Sequence, residues 1–140
     1  MAKASANSKC ACHSGLKYKR CCGPFHRGKD PLIPLQLMRS RYCAYALGIL
    51  DYIIKTTDKT GPHWRNDHLT WLTELRDFAR STKFKGLSIG EQERSDMRAW
   101  VTFDAHLEQD GRAVKMTEKS LFRQVNGRWL YHSGSDPNQR

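Results

Sequence analysis

Residues 97–132, MRAWVTFDAHLEQDGRAVKMTEKSLFRQVNGRWLYH, decide the fold of this chain. Apolar and polar side chains alternate through the first part of the stretch, which is the period of a β-strand with one buried face. The Asp110-Gly111 and Asn126-Gly127 pairs are typical of hairpin turns. The stretch therefore predicts one strand before Asp110, a second over 114–125 and a third over 128–132. The alternating apolar residues of the first of these strands are Met97, Ala99, Val101, Phe103, Ala105 and Leu107.

The residues before this stretch have helical spacing. Pro34 suits the first turn of a helix that Gly48 ends, and this helix carries an apolar stripe on each of two opposite sides. Such a helix is predicted to lie between a sheet and a neighbouring element. Further helices are predicted over 49–55 and 64–80, and Leu87 and Ile89 begin a strand. Helices followed by an antiparallel meander define the α+β class, and a curved sheet wrapped around a helix leaves a concave pocket.

Four cysteines near the N-terminus are the strongest chemical signal. Cys10 and Cys12 are separated by eight residues from the adjacent pair Cys21 and Cys22. Two close pairs joined by a short turn-forming segment can surround a zinc ion with four sulfurs, the closed arrangement of structural zinc sites. Ser14-Gly15 supply the reversal, and residues 16–20 are expected to form one helical turn. Since four thiolates complete the coordination, no catalysis is predicted at this metal.

Other interpretations of the cysteines are weaker. Disulfides are rare in the cytoplasm, where this chain is expected to act, and neighbouring cysteines are poorly placed to bridge each other. The redox pattern of C-x-x-C on a βαβ unit is absent. His13 or His26 in place of one thiolate stays an open alternative. Cys43, which falls in a helical pattern, is predicted to be a buried and inert thiol.

Positive charge is concentrated around the cysteines. The formal net charge is +10, and residues 1–29 contain seven basic side chains, Lys3 among them, and no acidic one. Even with four thiolates and one zinc ion the segment remains positive. Lys17, Lys19 and Arg20 are expected to ring its outer face. An anionic partner is predicted, namely RNA, a ribosomal surface or an acidic protein face, although the same charge also suits a surface that only keeps the protein soluble.

Composition narrows the remaining classes. Hydrophobic residues make up 39% and charged residues 27%, so the chain can form a core. The longest apolar run, residues 43–54, is too short for a bilayer, and the N-terminus has no apolar signal segment. We therefore expect no membrane association and a cytoplasmic location. The chain is divided into a zinc knuckle over 1–29 and an α+β domain over 30–140.

The α+β domain has a candidate pocket with a polar anchor. Glu118 and Ser120 fall on the otherwise apolar face of the strand over 114–125 and need partners. Either Arg39 or Arg41 is predicted to pair with Glu118, as a structural ion pair or, less favoured, as the anchor of a ligand site. Asp104 and His106 fall on the opposite face, and no catalytic residue is predicted. The predicted pocket residues are Arg39, Arg41, Tyr42, Tyr45, Phe103, Glu118, Phe122, Trp129 and Tyr131.

Residues 10–22 resemble the SEC-C motif, the zinc knuckle named from the C-terminus of the SecA preprotein translocase motor. Both cysteine pairs, Ser14-Gly15 and Tyr18 fit it. The whole chain resembles the bacterial YchJ family, although Ala11 and Cys43 stand where proline and serine are usual. This resemblance is carried by Cys21-Cys22-Gly23-Pro24-Phe25-His26, Leu37-Met38-Arg39-Ser40-Arg41-Tyr42-Cys43-Ala44-Tyr45, Asp51-Tyr52, Glu118-Lys119-Ser120-Leu121-Phe122 and Gly127-Arg128-Trp129-Leu130-Tyr131.

The resemblance implies a nuclear-transport-factor-2-like (NTF2-like) cone for the second domain and no established activity. In SecA the related knuckle contacts the chaperone SecB and ribosomes, which is an analogy only. The favoured function is a non-enzymatic interaction protein whose basic knuckle docks on a protein, ribosome or RNA, without DNA sequence specificity. An enzyme or small-molecule-binding protein that uses the cone pocket is the alternative, and a knuckle that merely caps the domain is a third reading.

Overall fold

Four helices precede four antiparallel strands in the computed structural model, which describes residues 5–138. The α+β class predicted from the sequence is confirmed. Residues 1–4, which include Lys3, and residues 139–140 lie outside the described part. The helices are α1 (Gly23–His26), α2 (Pro34–Leu47), α3 (Leu50–Lys55) and α4 (His68–Arg80), and the strands are β1 (Thr82–Ser95), β2 (Arg98–Gln109), β3 (Arg112–Val125) and β4 (Arg128–Ser135).

The sheet is a meander in the order β1-β2-β3-β4. Asp110-Gly111 and Asn126-Gly127 both have positive φ angles, as the two-residue hairpin turns between these strands require. Asp96, at φ 50°, forms a further turn with Met97, which is 56% exposed. The prediction that Met97 begins the buried alternation was therefore wrong. Met97 continues the alternation of apolar and polar residues, so this pattern alone does not show that a turn lies at Asp96 and Met97.

Two helix boundaries differ from the prediction for identifiable reasons. Helix α4 begins at His68 rather than at residue 64, because the Asp67 side chain accepts a hydrogen bond from the Thr70 N–H and caps the helix there. Gly23-Pro24 begins α1, which was not predicted from the sequence, since proline is favoured in the first turn of a helix. The predicted turn over residues 16–20 is shorter, a 3₁₀ turn at Tyr18–Arg20.

Helix α2 lies between two apolar clusters. On one side Leu37, Met38 and Tyr42 pack against the inner face of β2 and β3, and on the other Ala44 packs with residues of α1, α3 and α4. The predicted position of this helix between two elements agrees with this packing. Cys10, Cys12 and Cys22 belong to the first cluster. The cysteine loop thus shares a core with the sheet.

The loop after α3 covers one end of the sheet. Its backbone pairs with β4, because the Asp58 N–H donates to the Tyr131 carbonyl and the Tyr131 N–H to the Thr56 carbonyl, each at 2.8 Å. Asp58 also forms an ion pair with Arg123 of β3 at 2.8 Å. This attachment brings residues 57–65 over the concave side of the sheet. No helix within residues 5–138 is long and apolar enough to cross a membrane.

Candidate metal centre and ligand pocket

The sulfurs of Cys10, Cys12, Cys21 and Cys22 all lie within 4.8 Å of one another. Adjacent separations are 3.5 Å from Cys12 to Cys21 and 3.9 Å from Cys21 to Cys22. A zinc tetrahedron with bonds of about 2.3 Å has sulfur–sulfur edges of about 3.8 Å. The four side chains, three of them buried, therefore form a group that can hold a metal ion with the spacing of a thiolate tetrahedron.

The backbone of the loop positions these sulfurs. Cys10 N–H donates to the Leu16 carbonyl at 2.7 Å, and this bond closes a narrow loop. His13 and Gly15 turn the chain with positive φ angles of 63° and 88°. The following 3₁₀ turn carries the chain to Cys21, whose N–H donates to the Tyr18 carbonyl at 3.0 Å. A short closed loop thus brings two distant cysteine pairs together.

Arg39 contacts this cluster instead of the pocket. Its Nη1 donates to the Cys12 carbonyl at 3.0 Å and lies 3.8 Å from the Cys12 sulfur. The predicted place of Arg39 in the pocket was wrong, because its position on α2 turns it towards the cysteine loop. A guanidinium beside a group of thiolates offsets part of their negative charge and orients the ligand that it contacts.

Both histidines that were considered as ligands bind elsewhere. His13 Nε2 donates to the Phe84 carbonyl of β1 at 3.1 Å. His26 Nε2 donates to the Ser40 carbonyl at 2.8 Å, so its Nδ1 accepts from the Tyr18 hydroxyl at 2.6 Å. Burial lowers the pKa of His26, which favours this neutral form. The two side chains fasten the cysteine loop to the sheet and to α2.

Thiol protonation in this cluster is uneven. Contact with the thiols of Cys12 and Cys22 lowers the pKa of Cys10 to about 6. Burial raises the pKa of Cys21 to about 11, and contact with the Cys10 thiol raises that of Cys22. Because a cysteine binds a metal as the thiolate, metal binding at these four sulfurs should release protons and strengthen as the pH rises.

Cys43 is fully buried, and its surroundings could not be read from the sequence. Its sulfur lies 3.7 Å from that of Cys10, although Cys43 belongs to α2 and is 33 residues away in the chain. The helical pattern predicts burial but does not say which tertiary neighbour the thiol meets.

The basic residues of the loop lie on its outer side. Lys17, Lys19 and Arg20 are all exposed, and none of them forms an ion pair with another residue between positions 5 and 138. Leu16 projects beside them with 56% of its surface exposed. These side chains form what we call the basic rim.

A cavity of about 510 Å³ opens on the concave side of the sheet. Seven of the nine predicted pocket residues line it: Arg41, Tyr42, Tyr45, Phe103, Glu118, Phe122 and Tyr131. The loop over residues 57–65 and helix α4 also line the cavity, which the sequence pattern did not predict, and they add His63, Arg65, Trp71 and Glu74. No periodic pattern in the sequence predicts that these residues lie opposite the sheet.

Trp129 does not reach this cavity. It lies near the start of β4, where a smaller cleft is lined by Trp129 together with Phe25 and the linker residues Asp30 and Pro31. The Arg94 guanidinium lies 5.0 Å from the Trp129 ring centre. Trp129 shares a strand face with Tyr131, so alternation predicted the correct face but not the position along the strand.

The predicted ion pair between Glu118 and an arginine is not formed. Glu118 Oε2 accepts hydrogen bonds from the hydroxyls of Ser120 at 2.5 Å and Tyr131 at 3.2 Å. Burial raises the pKa of Tyr131, so its hydroxyl remains protonated and donates. Gly134 on β4 leaves room for the carboxylate, since a Cβ there would overlap it.

Arg41 is held by other acceptors. Its Nη1 donates to the Ile53 carbonyl at 3.0 Å and to the hydroxyls of Thr56 and Thr57 at 2.8 and 3.2 Å. The guanidinium lies 4.4 Å from the centre of the Tyr131 ring. Glu118 and Arg41 thus meet on the same tyrosine, at its hydroxyl and at its ring face, without pairing. The ends of α3 and the loop after it supply the acceptors that compete with Glu118.

Asp104 and His106 lie on the outer face of β2, as predicted. Asp104 accepts a hydrogen bond from Thr117 at 2.5 Å, and the His106 ring contacts the Ser88 hydroxyl at 3.1 Å. Neither side chain is among those that line the cavity.

Comparisons with known proteins agree with both halves of this description. Residues 7–24 match the SEC-C motif, and residues 33–134 match the family described as YchJ, middle NTF2-like domain. The fold and the cysteine loop thus define an NTF2-like protein with an N-terminal SEC-C motif, and the predicted resemblance is confirmed. The chain belongs to the YchJ family, whose similar relatives are named UPF0225 proteins.

Three relatives illustrate the similarity. A UPF0225 protein of Actinobacillus succinogenes is 39% identical over 136 residues, which cover 94% of this chain and 85% of the relative. The solution structure of a SEC-C motif containing protein from Rhodopseudomonas palustris has a TM-score of 0.80 and 34% identity, and covers 94% of this chain and all of the other. A crystal structure of a SEC-C motif containing protein from Psychrobacter arcticus has a TM-score of 0.73 at 24% identity, covers 96% of this chain and 84% of the other, and supports the fold alone.

Proposed function

We propose that this protein is a zinc-binding, non-enzymatic interaction protein of the cytoplasm whose basic rim binds ribosomal RNA. The observation that carries the proposal is the exposure of Lys17, Lys19 and Arg20 on a loop that four cysteines organise around one point. Zinc is favoured over other metals, because an all-thiolate tetrahedron with a closed coordination sphere is the usual structural zinc site.

The rim favours a phosphate-bearing partner. Its three cations lack internal partners among the described residues and stand on a segment without acidic side chains up to residue 29. Phosphate groups release counterions when lysine and arginine replace them, so binding of this kind weakens steeply with salt. Leu16, which precedes Lys17 in the chain and is 56% exposed, adds an apolar side chain to the rim.

Ribosome sedimentation tests this proposal. The zinc-loaded chain should sediment with ribosomes at 50 mM salt and be lost from the pellet at about 200 mM salt, as expected for phosphate contacts. A triple variant, Lys17→Glu, Lys19→Glu and Arg20→Glu, should abolish sedimentation. The matched control reverses three exposed cations elsewhere, Arg98, Arg112 and Lys115, with the same change in net charge. Equal loss with both variants would contradict a specific role for the rim.

A second function is favoured by the cavity. Its volume lies within the range of about 300–1,000 Å³ that is common for small-molecule sites. Glu118 Oε1 and the Nε and Nη2 of Arg41 have no hydrogen-bond partner within residues 5–138, and none of these atoms is fully enclosed. A carboxylate and a guanidinium that do not pair with each other can each serve a ligand.

The suitable ligand class is a small aromatic or apolar molecule with a neutral head that both donates and accepts a hydrogen bond. A primary amide meets this need, because its NH₂ donates to Glu118 and its carbonyl accepts from Arg41. Benzamide is therefore a suitable probe, and toluene is a control of similar shape without the polar head.

Amide chemical shifts in a titration with benzamide provide the measurement. Benzamide should perturb residues around Tyr45, Glu118 and Tyr131 more strongly than toluene does. Glu118→Gln should weaken benzamide binding, while Asp104→Asn, on the outer face of the sheet, should not. Binding of both probes without a preference, unaffected by Glu118→Gln, would contradict the assigned polar head.

A further inference from the structure

The metal centre has a fifth sulfur beside its four ligands. Cys43 Sγ lies 3.7 Å from Cys10 Sγ, and both side chains are buried. This distance equals an edge of a zinc–thiolate tetrahedron, which is about 3.8 Å for the usual zinc–sulfur bond length. Cys43 therefore lies beside Cys10, outside the group of four sulfurs that are all within 4.8 Å of one another.

The two sulfurs are carried by different kinds of structure. Cys10 belongs to the loop that precedes the first turn, whereas Cys43 lies in the middle of α2, in contact with the sheet. Arg39, one helical turn earlier on α2, contacts another of the four cysteines, Cys12. Helix α2 thus presents two side chains to the cysteine cluster, and the sulfur of one of them, Cys43, lies at ligand spacing from Cys10.

We propose that Cys43 is a reserve ligand of the metal centre that can take the coordination position of Cys10. The metal would then be held by Cys12, Cys21 and Cys22 together with either Cys10 or Cys43. This assignment rests on the proposed metal binding and adds to it a second ligand set, in which the metal is bonded directly to the helix of the main domain.

The exchange is balanced in charge and in atoms. With Cys10 bound to the metal, Cys43 would be a thiol whose sulfur lies 3.7 Å from that of Cys10. In the exchange the metal–sulfur bond to Cys10 would break, a metal–sulfur bond to Cys43 would form, and the Cys43 proton would pass to the Cys10 sulfur. Four thiolates surround the ion before and after, no electron is transferred, and no external reactant is consumed.

Cobalt(II) substitution tests the reserve ligand, since the absorption of cobalt distinguishes four thiolate ligands from three. The full chain is compared with Cys10→Ser, Cys43→Ser, the double variant, and Cys12→Ser as the matched control. Cys10→Ser should retain one cobalt ion and the spectrum of four thiolates. The double variant should lose the four-thiolate spectrum and bind roughly 100-fold more weakly than Cys10→Ser, at the upper end of the losses seen when the surroundings of a metal are altered.

The controls separate this inference from the proposed function. Cys43→Ser should bind cobalt as the wild type does, and Cys12→Ser should lose the four-thiolate spectrum because no fifth sulfur replaces it. A three-thiolate spectrum in Cys10→Ser, unchanged by the second substitution, would overturn the reserve ligand while leaving metal binding intact. A wild-type chain that binds neither zinc nor cobalt would contradict both the proposed metal binding and the reserve ligand.

A measurement on the wild type applies even where Cys10→Ser fails to fold. The metal-loaded chain is treated with N-ethylmaleimide, and intact mass together with peptide mapping identifies the product. A reserve ligand predicts a species alkylated at Cys10 that still holds one metal ion, and Cys43→Ser should not form it. Loss of the metal on the first alkylation in both proteins would contradict the inference.

Discussion

Arg39 and Arg41 lie two residues apart on α2 and serve different sites. Arg39 donates to the Cys12 carbonyl of the metal centre, while Arg41 donates to Ile53, Thr56 and Thr57 at the edge of the cavity. Residues two apart on a helix point about 200° from each other, so one helix can supply both sites. Each guanidinium is fixed chiefly by neutral acceptors, which leaves its charge available to the site that it faces.

Replacing Arg39 should weaken the metal centre without unfolding the cone. Arg39→Gln removes the cation beside the Cys12 sulfur, and zinc affinity should fall by roughly 10-fold or more, as for other partners that orient a ligand. Competition with a chromogenic chelator measures this affinity. Arg80→Gln, at an exposed position on α4, is the control and should leave it unchanged. Equal affinities in all three proteins would show that Arg39 does not support the metal.

Asp58 should contribute stability that depends on pH. Burial acts to raise the pKa of this carboxyl, but hydrogen bonds from Thr60 and the charge of Arg123 outweigh burial, so the net pKa is lowered from 3.8. A carboxyl with a lowered folded-state pKa stabilises the protein above its unfolded pKa and loses that contribution as the pH falls through the folded value.

The Asp58→Asn variant tests this sign. At pH 7 its free energy of unfolding should be lower by about 1.5–3 kcal/mol, the range for hydrogen bonds to a charged group. The difference from wild type should shrink as the pH is lowered below about 4 in urea unfolding series. Glu91→Gln, an exposed residue without an ion pair among the described residues, should show no such trend. A difference that grows on acidification would contradict the assigned pKa direction.

At the scale of elements, α2 is the part of the chain on which both sites depend. Helix α2 is capped at its C-terminus by Gly48, which adopts a φ of 75° and connects the helix to α3. The position of α3 in turn presents the Ile53 carbonyl to Arg41. The geometry at Gly48 therefore influences the cavity as well as the end of the helix.

Substitution of Gly48 should follow the cost of a left-handed backbone. Gly48→Ala should lower the free energy of unfolding by about 1 kcal/mol, because alanine disfavours positive φ. Gly48→Asn should cost less, since asparagine tolerates this region better, and it serves as the comparison. Chemical unfolding of both variants gives the order. An alanine variant as stable as the wild type, or an asparagine variant that is the weaker of the two, would contradict this account.

Local patterns predicted the elements better than the contacts between them. Strand alternation, the Asp-Gly and Asn-Gly turns and the cysteine spacing each act within a few residues, and they predicted the meander and the four-sulfur cluster. Arg39 and Arg41 both flank the tyrosine stripe, so helical spacing could not tell which of them faces the cavity. Trp129 shares the face of Tyr131, but alternation does not say how far along β4 the cavity extends. Arg41 donates its hydrogen bonds to oxygens of α3 and of the loop after it, and so does not pair with Glu118. No periodic pattern in the sequence predicts these acceptors.

At the scale of the whole molecule, the four-cysteine cluster and the cone are one packing unit. Cys10, Cys12 and Cys22 belong to the same apolar cluster as Leu37, Val101 and Phe122. His13 and His26 add hydrogen bonds from the loop to β1 and α2. A change in metal occupancy should therefore alter the stability of the sheet as well as that of the first thirty residues.

Metal removal should consequently destabilise the entire chain. A structural zinc site in a zinc finger contributes an apparent binding free energy of about 10–16 kcal/mol, and a metal that binds only the folded state raises folding stability by mass action. Chelation should lower the midpoint of thermal unfolding and raise amide exchange in α2 and β2, together with residues 8–28. The Cys12→Ser variant, which should bind the metal more weakly, should be less stable than the wild type and should respond less to chelator. If exchange rises only before residue 30 while α2 and β2 keep their protection, the loop is an independent module, and the shared core does not couple it to the cone.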